Sequence, residues 1–155
     1  MDQSPGHHDA QVGSAVELST DECWRLLATQ QVGRLAYALP EGPRIVPVNF
    51  VLREQGVELR TTSYSELATH APGHPVAFEV DELDAEHRSG WSVVVTGRCE
   101  RVLEEPDSVF AAPAEDSTTP WAGGRRPMVL RIEVDHVSGR RVGAGGWHHP
   151  EPSDR

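Results

Sequence analysis

Residues 76–102 read VAFEVDELDAEHRSGWSVVVTGRCERV, two strand-like runs joined by an acidic loop that ends in Gly90, Trp91 and Ser92. The first run, residues 76–80, alternates apolar residues with small or polar ones. The second, residues 91–102, is rich in β-branched residues until Gly97. Two such runs bounded by turn residues pair as antiparallel strands. Trp91 and Ser92 then stand at the rim of a sheet, an aromatic plate beside a hydroxyl.

The segments around this pair extend the sheet. Residues 34–39 form a first strand, closed by a Pro-Glu-Gly-Pro turn at 40–43. Residues 44–52 form a second, with Val46, Val48, Phe50 and Leu52 on one face. Pro47 cannot donate to a ladder, so it belongs at an edge or a bulge. Gln55 and Gly56 turn the chain into a third strand at 57–61, and loops this short join neighbouring antiparallel strands. Residues 128–134 alternate again and close the sheet. Ser19 to Glu22 has the spacing of a capping box, with Leu18 as a staple, and starts a helix that runs to about Gln30. A short helix is expected at 63–70, stopped by Ala71, Pro72 and Gly73, and another at 106–112. Residues 113–127 form an irregular loop. Six strands with two or three short helices make a mostly β chain, a small barrel with helices on its flank.

At 155 residues the chain is one domain with a buried core. The folded part is expected at 17–142, between disordered tails at 1–16 and 143–155 that are rich in small and polar residues. A formal charge of -10 argues against affinity for nucleic acid or anionic membranes. No apolar run approaches the ~20 residues of a membrane helix, and residues 1–16 lack the basic and apolar regions of a secretory signal. Cys23 and Cys99 suit two reduced, partly buried thiols in a cytoplasmic protein. No metal site is expected. His70 and His74 have a ligand-like spacing, but Pro72 and Gly73 break the helix that would align them. His70 near a ligand as proton donor is the remaining use for it. The acidic residues 79–86 match no calcium loop and read as a solvated turn.

The third strand leaves the sheet through Arg60, Thr61, Thr62, Ser63, Tyr64 and Ser65. A cation and several hydroxyls at a strand end could dock a phosphate, or the hydroxyls could simply cap the following helix. Arg125 and Arg126 are possible further cations for such a phosphate, though they read more simply as solvated loop charges. Gly139, Arg140 and Arg141 follow the last strand and suit either a phosphate or the surface.

The order and spacing of several short motifs resemble the flavin mononucleotide-binding split barrels related to pyridoxamine 5'-phosphate oxidase. The matching residues are Val32 to Ala36, Pro47 to Phe50, Arg60, Thr61, Leu67, Phe78 to Asp81, Gly90 to Val93 and Ser138 to Arg141. The resemblance implies a split β-barrel, a homodimer and an FMN-dependent oxidoreductase of unspecified substrate. It places Val48 and Asn49 near the flavin ring. Arg60, Thr61, Thr62 and Ser65 fall toward its phosphate, and Trp91 and Ser92 reach it from the partner subunit. Relatives carry Thr-x-x-Gly-Ser-Lys-Leu where this chain has residues 61–67, so Tyr64 stands for the Gly and Glu66 for the Lys. A Glu repels phosphate where a Lys would bind it, and Tyr64 lacks the backbone freedom of Gly. The alternative expectation is therefore a non-catalytic binding or sensing barrel with weakened FMN binding, holding a deazaflavin, haem or a protein partner.

Overall fold

The computed structural model describes residues 15–54, 56–102 and 126–143. The helix expected at 106–112, most of the 113–127 loop, Arg125 and nearly all of both expected tails lie outside them. Seven strands make one sheet in the order β1-β7-β4-β3-β2-β5-β6, and a further β6–β7 pairing closes six of them into a ring. These are β1 (Val16–Glu17), β2 (Val32–Leu39), β3 (Gly42–Arg53), β4 (Gly56–Thr61), β5 (Pro75–Asp84), β6 (Ser89–Val102) and β7 (Met128–Val142). Two helices flank the ring, α1 (Thr20–Leu27) and α2 (Glu66–His70). The split β-barrel anticipated from the sequence is the fold.

Period-2 alternation explains the core. On β2, Leu35, Tyr37 and Leu39 point inward, and on β6 Val93, Val95 and Cys99 do the same. Phe50 of β3 and Phe78 of β5 meet edge-to-face with centroids 4.9 Å apart. Val46, Val48 and Leu52 pack on this cluster, as their alternation predicts. α1 begins with the expected capping box: Ser19 Oγ accepts from Glu22 N–H at 3.3 Å, and Glu22 accepts from Ser19 N–H at 3.0 Å. Its buried Cys23 and Leu27 seal one end of the core. Both cysteines are free and wholly buried.

Some boundaries differ from expectation. β7 runs through Val142 rather than stopping at Val134, because its second half is half-exposed and lacks the apolar alternation that marks a strand. Gly139, Arg140 and Arg141 are thus within a strand, opposite Val93, Ser92 and Trp91 of β6. Val16 belongs to β1, paired with Arg141, so the fold begins before residue 17. α1 stops at Leu27 and α2 begins only at Glu66, capped by Ser65. The acidic residues are not all a solvated turn. Glu79 and Asp81 lie on β5 and hold Arg34 of β2 at 3.2 and 2.7 Å.

β3 is the strand that splits the barrel. Among the described residues, its residues 42–49 pair with β2 alone, and only residues 50–53 pair with β4. Pro47 sits opposite Arg34 in the stretch with one bare edge, where its missing N–H leaves no ladder bond unmade.

Candidate functional site

A cavity of about 450 Å³ opens along the bare edge of β3. One wall is the strand itself, from Val46 to Asn49, with Val32 and Tyr37 of β2 beside it. The facing wall is the β4–α2 turn, contributing Arg60, Thr61, Ser65, Glu66 and Leu67, and Arg126 also lines the cavity. The volume falls in the range of small-molecule sites, and a mainly apolar lining with a few convergent polar groups is their usual composition.

The β4–α2 turn is held by its own hydroxyls. Ser65 Oγ accepts from Ala68 N–H at 3.0 Å and lies 3.0 Å from Thr62 O, to which it donates. Its single proton is then committed, so Thr61 Oγ1, 2.8 Å away, donates to it. These hydroxyls shape the turn and leave the cationic side chains to meet an anion. The capping role that sequence left open for Ser65 is therefore filled, and Thr61 is buried beneath it.

Arg60 lines the cleft and a small neighbouring cavity behind β4. Arg126, which the sequence offers chiefly as a solvated loop charge and secondarily as a phosphate contact, lines the same cleft. It stands two residues before β7, and its Nε is shielded from solvent without a hydrogen-bond partner among the described residues. A buried guanidinium N–H lacking a partner is costly unless something enters to accept from it. No local motif announces this, because the strand that carries Arg126 into place pairs with β4 from 67 or more positions along the chain.

Of the eight residues singled out from the sequence, Val48, Asn49, Arg60, Thr61 and Ser65 line the cleft. Thr62 contributes its carbonyl to the turn but does not line the cavity. Trp91 is 2 % exposed and belongs to the core of its own chain, so its ring is a barrel plug. Ser92 lines a separate groove of about 610 Å³ with residues of β1 and β7, including His136 and Arg140. His70 is not among the cleft residues, and His74 Nδ1 lies 3.0 Å from Pro72 O. Among the described residues no three His, Cys, Asp or Glu side chains gather as a metal site.

The two departures at the turn have different consequences. Tyr64 is 97 % exposed and its φ is not positive, so the backbone there needs no glycine. Glu66 does line the cleft, but Arg44 of β3 lies 3.5 Å from its carboxylate and offsets part of its charge. Burial, and then the Glu66 charge, push the neighbouring Tyr37 phenol above its ordinary pKa, with Arg44 opposing them.

The sequence model of a family described as pyridoxamine 5'-phosphate oxidase matches residues 19–141. The uncharacterized protein Rv0080 of Mycobacterium tuberculosis is 37 % identical over 147 residues, 90 % of this chain and 95 % of its own. Among solved structures, the FAD binding protein from Mycobacterium smegmatis is 29 % identical with a TM-score of 0.65, covering 83 % of this chain and 98 % of that one. A FAD-binding protein from Mesorhizobium loti shares the fold at 24 % identity and a TM-score of 0.66, covering 85 % of this chain and 99 % of that one.

Proposed function

The chain belongs to the pyridoxamine 5'-phosphate oxidase family, and from that membership we propose that it is a flavin-dependent oxidoreductase acting as a cytoplasmic homodimer. The observation that carries the reading is the cleft, where a bare strand edge and an apolar wall face two arginines. A flavin ring is flat and largely apolar, with hydrogen-bonding atoms along one edge. Backbone groups of residues 44–48 that the sheet does not use among the described residues can meet that edge, with Val48 and Asn49 beside it. Arg60 and Arg126 suit the phosphate, and the buried Nε of Arg126 gains the acceptor it lacks. The flavin-binding relative at 29 % identity supports the cofactor class.

The bound ring would supply hydride transfer, and the protein would orient it and keep water from one face. Ile45, 66 % exposed beside the cleft, is an apolar residue that a second copy would cover. The two free, buried thiols accord with a reducing compartment. No helix is long and apolar enough to cross a membrane. Haem fits less well, since the described cleft-lining residues include no His, Cys or Met for its iron.

The test is an absorbance titration of the purified protein with FMN and with FAD, each followed by desalting. Retained, shifted flavin bands at one per subunit are expected. A folded protein that stays colourless after both would overturn the reading. Bleaching of the retained bands by a reduced nicotinamide or deazaflavin separates an oxidoreductase from a non-catalytic binder, and light scattering reads the dimer.

A further inference from the structure

Among the described residues, four neutral polar side chains line the cleft, and three of them are already engaged. Thr61 and Ser65 hold the turn, and Asn49 reaches the Gln31 carbonyl at 3.5 Å. Tyr37 is the fourth. Its ring is packed in the core at 4 % exposure, between Leu35 and Leu39 on the inward face of β2. Its hydroxyl has no hydrogen-bond partner among the described residues. It is not sealed in as the Nε of Arg126 is, so the cleft is where it opens. A buried phenol ordinarily finds a hydrogen-bond partner. Burial first, and then the Glu66 charge, keep this phenol protonated against the opposing charge of Arg44, so it is a donor in search of an acceptor.

The strand register fixes where along the cleft this donor stands. Tyr37 lies opposite Arg44 of β3, whereas Val48 lies opposite Gly33. The two places are four residues apart on β3, about 13 Å at the usual rise of a strand. The start of α2 is on the Tyr37 side, since Glu66 lies 3.5 Å from Arg44. In a flavin seated with its ring beside Val48 and Asn49, that distance leads past the ring and along its side chain. The side chain is a polyol in riboflavin and ends in a phosphate in FMN, and both groups offer oxygen acceptors. Resting on the flavin reading of this cleft, we infer that Tyr37 is a ligand-binding residue whose hydroxyl donates a hydrogen bond to an oxygen of the flavin side chain, not to the ring. The ligand then lies with its ring at the Asn49 end of the cleft and its tail toward α2.

The protein and its Tyr37→Phe variant would be titrated with lumiflavin, riboflavin and FMN, following flavin fluorescence. The three ligands share the ring. Lumiflavin has only a methyl group in place of the side chain, riboflavin adds the polyol, and FMN adds the phosphate. Phenylalanine keeps the packed ring and drops only the hydroxyl, so the melting midpoint of the variant is expected to equal or exceed that of the wild type. Lumiflavin should bind both proteins alike. Riboflavin and FMN should each bind the variant roughly three- to tenfold more weakly where a polyol oxygen is the acceptor. A loss confined to FMN, of about tenfold or more, would place the acceptor on the phosphate. Equal losses for all three ligands would put Tyr37 at the ring and overturn the inference. So would affinities that the variant leaves unchanged. A variant that fails to fold, or melts well below the wild type, would assign the hydroxyl to the fold and overturn it as well. A folded wild type that binds none of the three flavins instead overturns the flavin reading, and the role of Tyr37 falls with it.

Discussion

The β6–β7 side of the barrel and the first half of β3 belong to one ring but have opposite surroundings. β6 pairs with β5 along ten positions and with β7 along thirteen, so both of its edges are used. Its inward residues Trp91, Val93, Val95 and Cys99 are all 2 % exposed or less. Residues 42–49 of β3 have one paired edge, and the cavity lies along the other. The inward face of the closed side is filled by its own side chains and both edges of β6 are paired, whereas the first half of β3 borders the cavity and, among the described residues, gives up sheet pairing on that edge. Stability and binding are thus assigned to different strands of one ring, and substitutions on the two sides should fail differently.

The largest effect is expected on the closed side, at Gly97. This glycine sits at the bulge where the β6–β7 register shifts, and a Cβ there would overlap the backbone carbonyl oxygen of Glu133. A backbone neighbour held in a ladder cannot swing aside as a side chain would. Gly97→Ala should cost about 1–3 kcal/mol, typical of overpacking, read as a lower denaturation midpoint. Flavin affinity of the fraction that stays folded should change little. A variant as stable as the wild type would mean that the bulge relaxes and that this side is less rigid than its pairing implies.

That division was only half legible in the sequence. The closed side announces itself through β-branched alternation, and the meander of β2, β3 and β4 through turn residues and through Val46, Val48, Phe50 and Leu52 on one face. The capping box at Ser19 was readable because it is local. The second half of β7 was not, since a half-exposed strand carrying Asp135, His136, Ser138 and Arg140 gives little apolar signal. Arg126 read chiefly as a loop charge for another reason. Its role depends on β7 pairing with β4, which brings residues 128–132 beside residues 57–61, and sequence spacing records nothing of that approach.

An intermediate effect belongs to Arg126, on the open side. Arg126→Ala removes a guanidinium whose shielded Nε has no partner among the described residues, so none of their hydrogen bonds is lost at that atom. Stability should stay within about 0.5 kcal/mol of the wild type. Affinity for a phosphate-bearing flavin should fall about tenfold, the low end of a charge-assisted hydrogen bond. Riboflavin affinity should not follow it. Equal losses for riboflavin and the nucleotides would place Arg126 at the ring rather than the phosphate. A loss of stability without loss of affinity would move it to the structural side of the comparison.

The smallest effect is expected at Tyr64, where the sequence pattern suggested the opposite. Its departure from a glycine implied a phosphate turn deprived of backbone freedom. The turn instead closes with an ordinary negative φ at this residue, secured by the Thr61, Thr62 and Ser65 hydrogen bonds on either side of it. The Tyr64 ring points away into solvent at 97 % exposure and does not line the cleft. Restoring the glycine with Tyr64→Gly therefore gives the turn a freedom it does not use. The added entropy of the unfolded chain should cost up to about 1 kcal/mol, and flavin affinity should move less than about twofold, within the range left by surface changes. Both are measurable in one titration and one melt. A large gain in nucleotide affinity would show that the turn must rearrange to take a phosphate. The open side of the barrel would then owe its binding to mobility in the β4–α2 turn as well as to the bare edge of β3.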